Sequence, residues 1–290
     1  MPRAEWVAQE IEGVRTAVRA AKTGGKQIGF VPTMGALHDG HASLVRRARA
    51  ETGFVVVSIF VNPTQFGPQE DLAKYPRSLE RDLQLCQQEG VDLVFCPEAT
   101  TVYPVGFSTY VEVEGLSARM EGACRPGHFR GVATVVLKLL NIVAPHVAYF
   151  GQKDAQQARV IQQMAHDLDI PVAIRICPTI REPDGLALSS RNRYLSREDR
   201  AQALALSRSL EAARQLIVAG ERDGNLVRQK MQSVLESAPG VAVDYAELVD
   251  PNCFEPVRQL RGSVLAVVAA RVGAARLIDN LPIEIPPPTE

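Results

Sequence analysis

The first 180 residues repeat one pattern, a short unbroken apolar run followed by a longer stretch with helical spacing. The runs fall at residues 28–31, 54–61, 93–96, 147–150 and 172–176. Apolar and polar residues do not alternate within them, so each must form a strand buried on both faces. Between the runs, Leu44, Val45 and Ala48 sit three and four residues apart, as do Leu79, Leu83 and Cys86, which places each group on one helical face. Doubly buried strands joined through helices require a parallel sheet wound by right-handed crossovers. The expected fold is therefore α/β, a Rossmann-like doubly wound parallel sheet.

After Pro183 the pattern changes. Ser196 followed by Glu198 and Asp199 reads as a capped helix start, with a hydroxyl for an orphan N–H and acidic groups at the positive end of the dipole. Two helices rich in Ala, Leu, Arg and Gln then fill residues 198–237, and strands are expected at 244–249, 264–272 and 276–278. The pattern is that of a smaller α+β C-terminal domain at 183–290, following a first domain at 1–182. Arg3, Glu5 and Glu10 suggest an amphipathic helix at the N-terminus, and Pro286 to Pro288 a frayed tail.

Charge narrows the function classes. The 32 Lys and Arg against 33 Asp and Glu leave a net charge of -1, so no nucleic-acid or acidic-membrane partner is expected, and an anionic ligand must be met by local positive groups. The five cysteines, Cys86, Cys96, Cys124, Cys177 and Cys253, contain no CxxC pair, which argues against a disulfide framework or a zinc knuckle. No apolar run approaches the roughly 18 residues of a membrane span. A cytoplasmic enzyme is the expectation.

The chemistry concentrates at strand ends. After the first strand, Pro32, Thr33, Met34, Gly35, Ala36 and Leu37 lead into His38-Asp39-Gly40-His41 and a helix. In open α/β sheets ligands bind at that edge, and a helix N-terminus there presents unpaired N–H groups to phosphate. Two imidazoles three residues apart can donate to the same anion. Neither a Walker A sequence nor a GxGxxG is present, so the usual glycine cradles do not explain nucleotide binding. Three further segments have the same placement or charge. Asn62 and Gln65 follow the second strand with amides suited to a small polar substrate, and Gly151-Gln152-Lys153-Asp154 follows a later one, ahead of Gln157. Leu188-Ser189-Ser190-Arg191 offers hydroxyls beside a fixed positive charge. Each has a plainer reading, as a turn, a cap or a solvated loop. Arg125 to His128 is likewise either an anion-orienting loop or a basic surface turn.

Taken together, Pro-Thr-Met-Gly-Ala-Leu-His-Asp-Gly-His, Phe-Val-Asn-Pro-Thr-Gln-Phe, Arg-Pro-Gly-His-Phe, Gly-Gln-Lys-Asp-Ala-Gln-Gln and Leu-Ser-Ser-Arg-Asn-Arg-Tyr-Leu resemble the successive motifs of the pantothenate synthetases (pantoate–β-alanine ligases), of the nucleotidylyltransferase superfamily. The likeness runs from about residue 26 to 280. It implies that pantoate and Mg-ATP form a pantoyl adenylate and pyrophosphate, and that β-alanine then displaces AMP to give pantothenate. A homodimer is also implied. By motif position, Pro32 and residues 34–41 bind ATP, with His41 as proton donor and His38 as its phosphate-contacting partner. Gly151, Gln152, Lys153, Asp154, Ile180, Leu188, Ser189, Ser190 and Arg191 also meet the nucleotide, the Ser-Ser-Arg loop acting as a lid. Gln65, Gln157, Asn62 and Arg125 hold pantoate, Gln65 lies near β-alanine, and Asp82 faces magnesium. Gln152 stands where the family commonly has Glu, and Leu188 where it often has Met, which leaves ATP affinity open.

Overall fold

The computed structural model describes residues 6–68 and 70–285. The chain divides into two compact units, residues 1–152 with 157–178, and residues 153–156 with 179–290.

The first unit is a six-stranded sheet. Its strands are β1 (Val7–Ala8), β2 (Ile28–Thr33), β3 (Phe54–Ile59), β4 (Leu93–Phe95), β5 (Val147–Gly151) and β6 (Ala173–Cys177), in the spatial order β1-β4-β3-β2-β5-β6. Every pairing is parallel. Both faces are covered, as the unalternating runs require. Val31, Val55, Val57, Val94 and Tyr149 form one buried cluster with Leu44, Val45 and Ala48 of helix Asp39–Glu51 and Leu83 and Cys86 of helix Leu79–Gln88. Phe30, Val56, Phe95, Ala148 and Phe150 alternate with them along the strands and are equally buried, on the opposite face. Helix His128–Val143 buries 12 of its 16 residues, so it is an interior helix, apolar nearly all round.

Strand order decides where a ligand can enter. From β2 the chain steps through β3 and β4 in one direction, then returns to place β5 and β6 on the other side of β2. The switch point lies between β2 and β5, and open sheets bind ligands at the carboxyl ends of the strands there. Register adds to the opening, because β2 pairs with β5 only through Gly29 and Phe30, while its pairing with β3 continues to Thr33. Pro32 lacks an N–H for a ladder, and it stands where the β5 ladder has already ended.

The second unit has an antiparallel sheet of β7 (Val241–Val249), β8 (Ser263–Val272) and β9 (Ala275–Glu284), covered by helices Arg197–Val218 and Gly224–Glu236. Leu206, Leu210, Ile217, Met231, Val264 and Val268 lie in its core. Ser196 caps the first helix: its hydroxyl accepts from the Asp199 N–H at 3.0 Å, and the Asp199 carboxylate accepts in return from the Ser196 N–H at 3.3 Å.

The doubly wound sheet and the smaller α+β unit are as the sequence implies. Two local expectations differ. Glu10 is the N-cap of helix Ile11–Thr23, not part of a helix with its predecessors, because Val7 and Ala8 extend the sheet as an edge strand beside β4. The last strand runs ten residues, well past the 276–278 expected, since its register with β8 continues unbroken to Glu284. Arg3, Glu5 and the Pro286 to Pro288 tail lie outside the described residues.

Candidate active site

The β2 loop is built to turn sharply and then start a helix. Thr33 ties it down, its hydroxyl donating to the Ser58 carbonyl at 2.7 Å and accepting from the Gly35 N–H at 3.2 Å. Gly35 has φ 83° and Ala36 φ 51°, left-handed backbone that an alanine adopts only at a cost. Buried Asp82 offsets that cost. Its two carboxylate oxygens accept from the Ala36 and Leu37 N–H groups at 2.9 and 2.8 Å, and a Cβ on Gly35 would stand 3.0 Å from one of them.

The two histidines follow at the start of helix Asp39–Glu51. His38 is the N-cap, and its Nδ1 accepts from the Gly40 N–H at 3.1 Å, while His41 Nδ1 accepts from the His38 N–H at 3.3 Å. A ring nitrogen that accepts from a backbone N–H carries no proton, so both imidazoles are neutral with the hydrogen on Nε2. Their rings lie 4.2 Å apart, tilted by 47°, both half-buried. The two imidazoles stand at the positive end of the helix dipole, which favours an anion beside their Nε2–H groups. Its position is the carboxyl end of β2, at the switch point.

At the end of β3, the turn Pro63–Gln65 carries the amide pair. Asn62 is 1% exposed and its amide is fully committed within the protein. Oδ1 accepts from Tyr103 Oη at 2.8 Å and Thr64 Oγ1 at 2.9 Å, and Nδ2 donates to Gln65 Oε1 at 3.0 Å and the Gly131 carbonyl at 3.2 Å. Gly131 lets helix His128–Val143 come this close, because a Cβ there would stand 2.4 Å from the Thr64 carbonyl oxygen. Gln65 Nε2 donates to the Met34 thioether at 3.2 Å, which links this turn to the histidine loop.

Arg125 is similarly spent. It forms a two-pronged pair with Glu70, at 2.8 and 2.6 Å, and its Nη1 lies 3.1 Å from His128 Nε2. His128 Nδ1 donates to the Gln65 carbonyl at 2.9 Å, which fixes the tautomer and makes Nε2 the acceptor from Arg125. Burial first, and then the Arg125 charge, pull the His128 pKa down to about 4, so the ring is neutral at physiological pH. Burial works to raise the Glu70 pKa, but the hydrogen bonds and charge of Arg125 outweigh it and the net shift is downward. In this geometry Asn62 and Arg125 both support Gln65 from behind. Gln157 is half-buried in the first turns of helix Ala155–Asp167.

The remaining expected residues belong to the second unit, apart from Gly151 and Gln152 at the end of β5. The Lys153 ammonium is 3.9 Å from Asp154, and the Lys153 carbonyl accepts from Asn280 Nδ2 at 2.9 Å. Lys153, Ser189, Asn192, Leu277 and Asp279 line a narrow cleft. The Ser-Ser-Arg loop is tied at both ends: the Leu188 N–H donates to the Ile180 carbonyl at 2.9 Å, and Asn192 Nδ2 donates to Glu182 at 2.9 Å. Ser189 caps the turn Ser190–Tyr194 by accepting from the Arg191 N–H at 3.2 Å.

The donor set does not fit a resident metal. Asp82, expected to face magnesium, turns both oxygens to backbone N–H groups. Among the described residues, no three His, Cys, Asp or Glu side chains are grouped to hold an ion. Two participants escaped the sequence reading, Glu70 and Tyr103. Neither sits in a strand-end motif, and Tyr103 meets Asn62 across 41 residues of chain. The arginine of the Arg-Pro-Gly-His loop was the one signal for Glu70, since an arginine held against the protein requires an acidic partner.

Comparison with known proteins identifies the family. The family model for pantoate-beta-alanine ligase matches residues 6–282. Pantothenate synthetase of Acidobacterium capsulatum is 54% identical over 292 residues, covering 97% of this chain and 96% of the relative, and that of Thermotoga neapolitana is 55% identical over 274 residues, covering 94% and 98%. The crystal structure of pantothenate synthetase from Thermus thermophilus superposes with a TM-score of 0.91 at 48% identity, covering 95% of this chain and 98% of that one. The pantoate-beta-alanine ligase from Francisella tularensis, complexed with beta-gamma ATP and beta-alanine, does so with a TM-score of 0.77 at 36% identity, covering 95% and 97%. With the family model spanning nearly the whole chain and relatives above half identity along it, the chain belongs to the pantoate-beta-alanine ligase family, the pantothenate synthetases.

Proposed function

We propose that this enzyme condenses pantoate with β-alanine at the expense of ATP, giving pantothenate, AMP and pyrophosphate through a pantoyl adenylate. The observation that carries the reading is the pair of neutral histidines at the N-terminus of helix Asp39–Glu51, on the switch point of the parallel sheet. The family match and the nucleotide and β-alanine in the Francisella relative support it.

In the first step a pantoate carboxylate oxygen bonds to the α-phosphorus, the bond from that phosphorus to the bridging oxygen breaks, and pyrophosphate leaves with the electron pair. Charge gathers on the phosphoryl oxygens. The Nε2–H groups of His38 and His41 and the positive end of the helix dipole stabilise it, as preorganised groups do best in a dry site. Lys153, Ser189, Ser190 and Arg191 are assigned to the same nucleotide, as are Gly151, Asp154 and Ile180. Gln65 and Gln157 hold pantoate. In the second step the neutral amine of β-alanine bonds to the acyl carbon, the bond from that carbon to the AMP oxygen breaks, and AMP leaves with the electron pair while the new amide nitrogen gives up a proton to solvent. Magnesium enters on the triphosphate as part of the substrate, and no step is routed through a protein-held ion. A homodimer in the cytoplasm completes the proposal, on the family resemblance. Among the described residues no helix is long and apolar enough to cross a membrane.

The test is AMP release from ATP with pantoate and β-alanine supplied singly and together. The expected result is pantoate-dependent exchange of pyrophosphate into ATP without β-alanine, and stoichiometric AMP only with both. AMP formation indifferent to pantoate would overturn the reading.

A further inference from the structure

Asn62 has a polarity that it cannot reverse. Its Oδ1 lies 3.4 Å from the Thr64 N–H, which only donates, and its Nδ2 lies 3.2 Å from the Gly131 carbonyl, which only accepts. Turning the amide over would set like against like at both places, in a residue 1% exposed. The shortest bond on the acceptor side comes from the Tyr103 hydroxyl, at 2.8 Å. Burial raises the Tyr103 pKa above its ordinary value, so that hydroxyl keeps its proton. On the donor side, the second Nδ2 hydrogen reaches Gln65 Oε1 at 3.0 Å. Gln65 must therefore turn its NH2 end toward Met34, whose sulfur at 3.2 Å is a weak acceptor that a ligand oxygen readily replaces.

We propose that Tyr103, acting through Asn62 together with the Thr64 N–H and the Gly131 carbonyl, is a positioning residue that holds one end of the Gln65 amide toward the ligand, so that this subsite takes an acceptor oxygen and rejects a donor. The inference rests on the assignment of Gln65 to pantoate. Tyr103 is held in place independently of its hydroxyl, with its ring 6.2 Å from Phe60 and 5.0 Å from Phe107. Phenylalanine can therefore replace it with the packing intact.

The experiment measures pantoate-dependent pyrophosphate exchange in the full-length protein, in Tyr103→Phe and in Asn62→Asp, together with the ¹⁵N spectra of the side-chain amides. Tyr103→Phe should raise KM for pantoate about fivefold to tenfold, the size of one hydrogen bond, with KM for ATP and kcat nearly unchanged. Asn62→Asp, which keeps the shape but turns an oxygen toward Gln65, should raise it by about 100-fold or more. An unchanged KM for pantoate in Tyr103→Phe, or equal losses toward pantoate and ATP, overturns the relay. Should the unaltered protein show no pantoate-dependent exchange, the assignment of Gln65 falls, and the spectra then judge the relay. Faster solvent exchange of the Asn62 side-chain NH2 in Tyr103→Phe upholds it, and identical exchange overturns it.

Discussion

The carboxylate of Asp82 holds the Ala36 N–H at 2.9 Å, across 46 residues of chain, and so secures a left-handed alanine in the loop that delivers both histidines. Asp82→Asn offers one acceptor where two are needed and sets an NH2 against a backbone N–H. The expected cost is about 1–3 kcal/mol of stability, the desolvation penalty of a buried group left unpaired. Thermal unfolding should show the loss, while the magnesium concentration for half-maximal activity stays constant. A large rise in that magnesium requirement with stability intact would instead make Asp82 a metal ligand.

His41→Ala and Lys153→Ala each remove a donor assigned to the triphosphate. Adenylate formation should fall by about 100-fold or more in each, the usual effect of losing one such donor. Pantoate-dependent pyrophosphate exchange checks this, and undiminished exchange in both variants contradicts the assignment.

Acid should destabilise the protein through His128. Its pKa is depressed from 6.5 to about 4 in the folded state, so the unfolded chain takes up a proton first as pH falls. The stabilisation is complete above about pH 6.5, declines below it, and is gone once pH has passed below about 4. The span corresponds to roughly 3 kcal/mol. The lowered Glu70 pKa acts in the same direction. In His128→Asn, which retains a donor near Nδ1, the melting temperature should depend less steeply on pH across this window. An unchanged slope would show that His128 is not the sensor.

Gly131→Ala tests the close approach behind the amide pair. A methyl group 2.4 Å from the Thr64 carbonyl oxygen must push the helix and the turn apart. The expected cost is about 1–3 kcal/mol, as for an overpacked core. Gln65 would move with the turn, so KM for pantoate should rise while KM for ATP changes little. Wild-type stability and kinetics in this variant would mean that the contact relaxes freely.

The doubly wound sheet was legible because burial on both faces leaves a local mark: strands 54–59 and 147–151 carry no polar alternation, and the helical spacing of Leu44, Val45 and Ala48 survives in any short window. Edge strand Val7–Ala8 left no such mark, since two residues carry no period. Candidate residues at strand ends were legible for the same reason, as topology sends ligands there. Their division of labour was not. Asn62 and Arg125 read from sequence as groups aimed at a substrate, yet one is satisfied by Tyr103, Gly131 and Gln65 and the other by Glu70. Asp82, which the family resemblance sets facing magnesium, accepts from two backbone N–H groups of the histidine loop.

By itself, the amino-acid sequence determined the fold class, the order of elements, the family and the candidate loops at the strand ends, because each of these is written in neighbours along the chain. Only the tertiary structure decided which polar groups face outward and which hold others in place. A hydrogen bond is made with whatever group arrives within about 3 Å, and for Asn62, Asp82 and Arg125 that partner comes from tens of residues away.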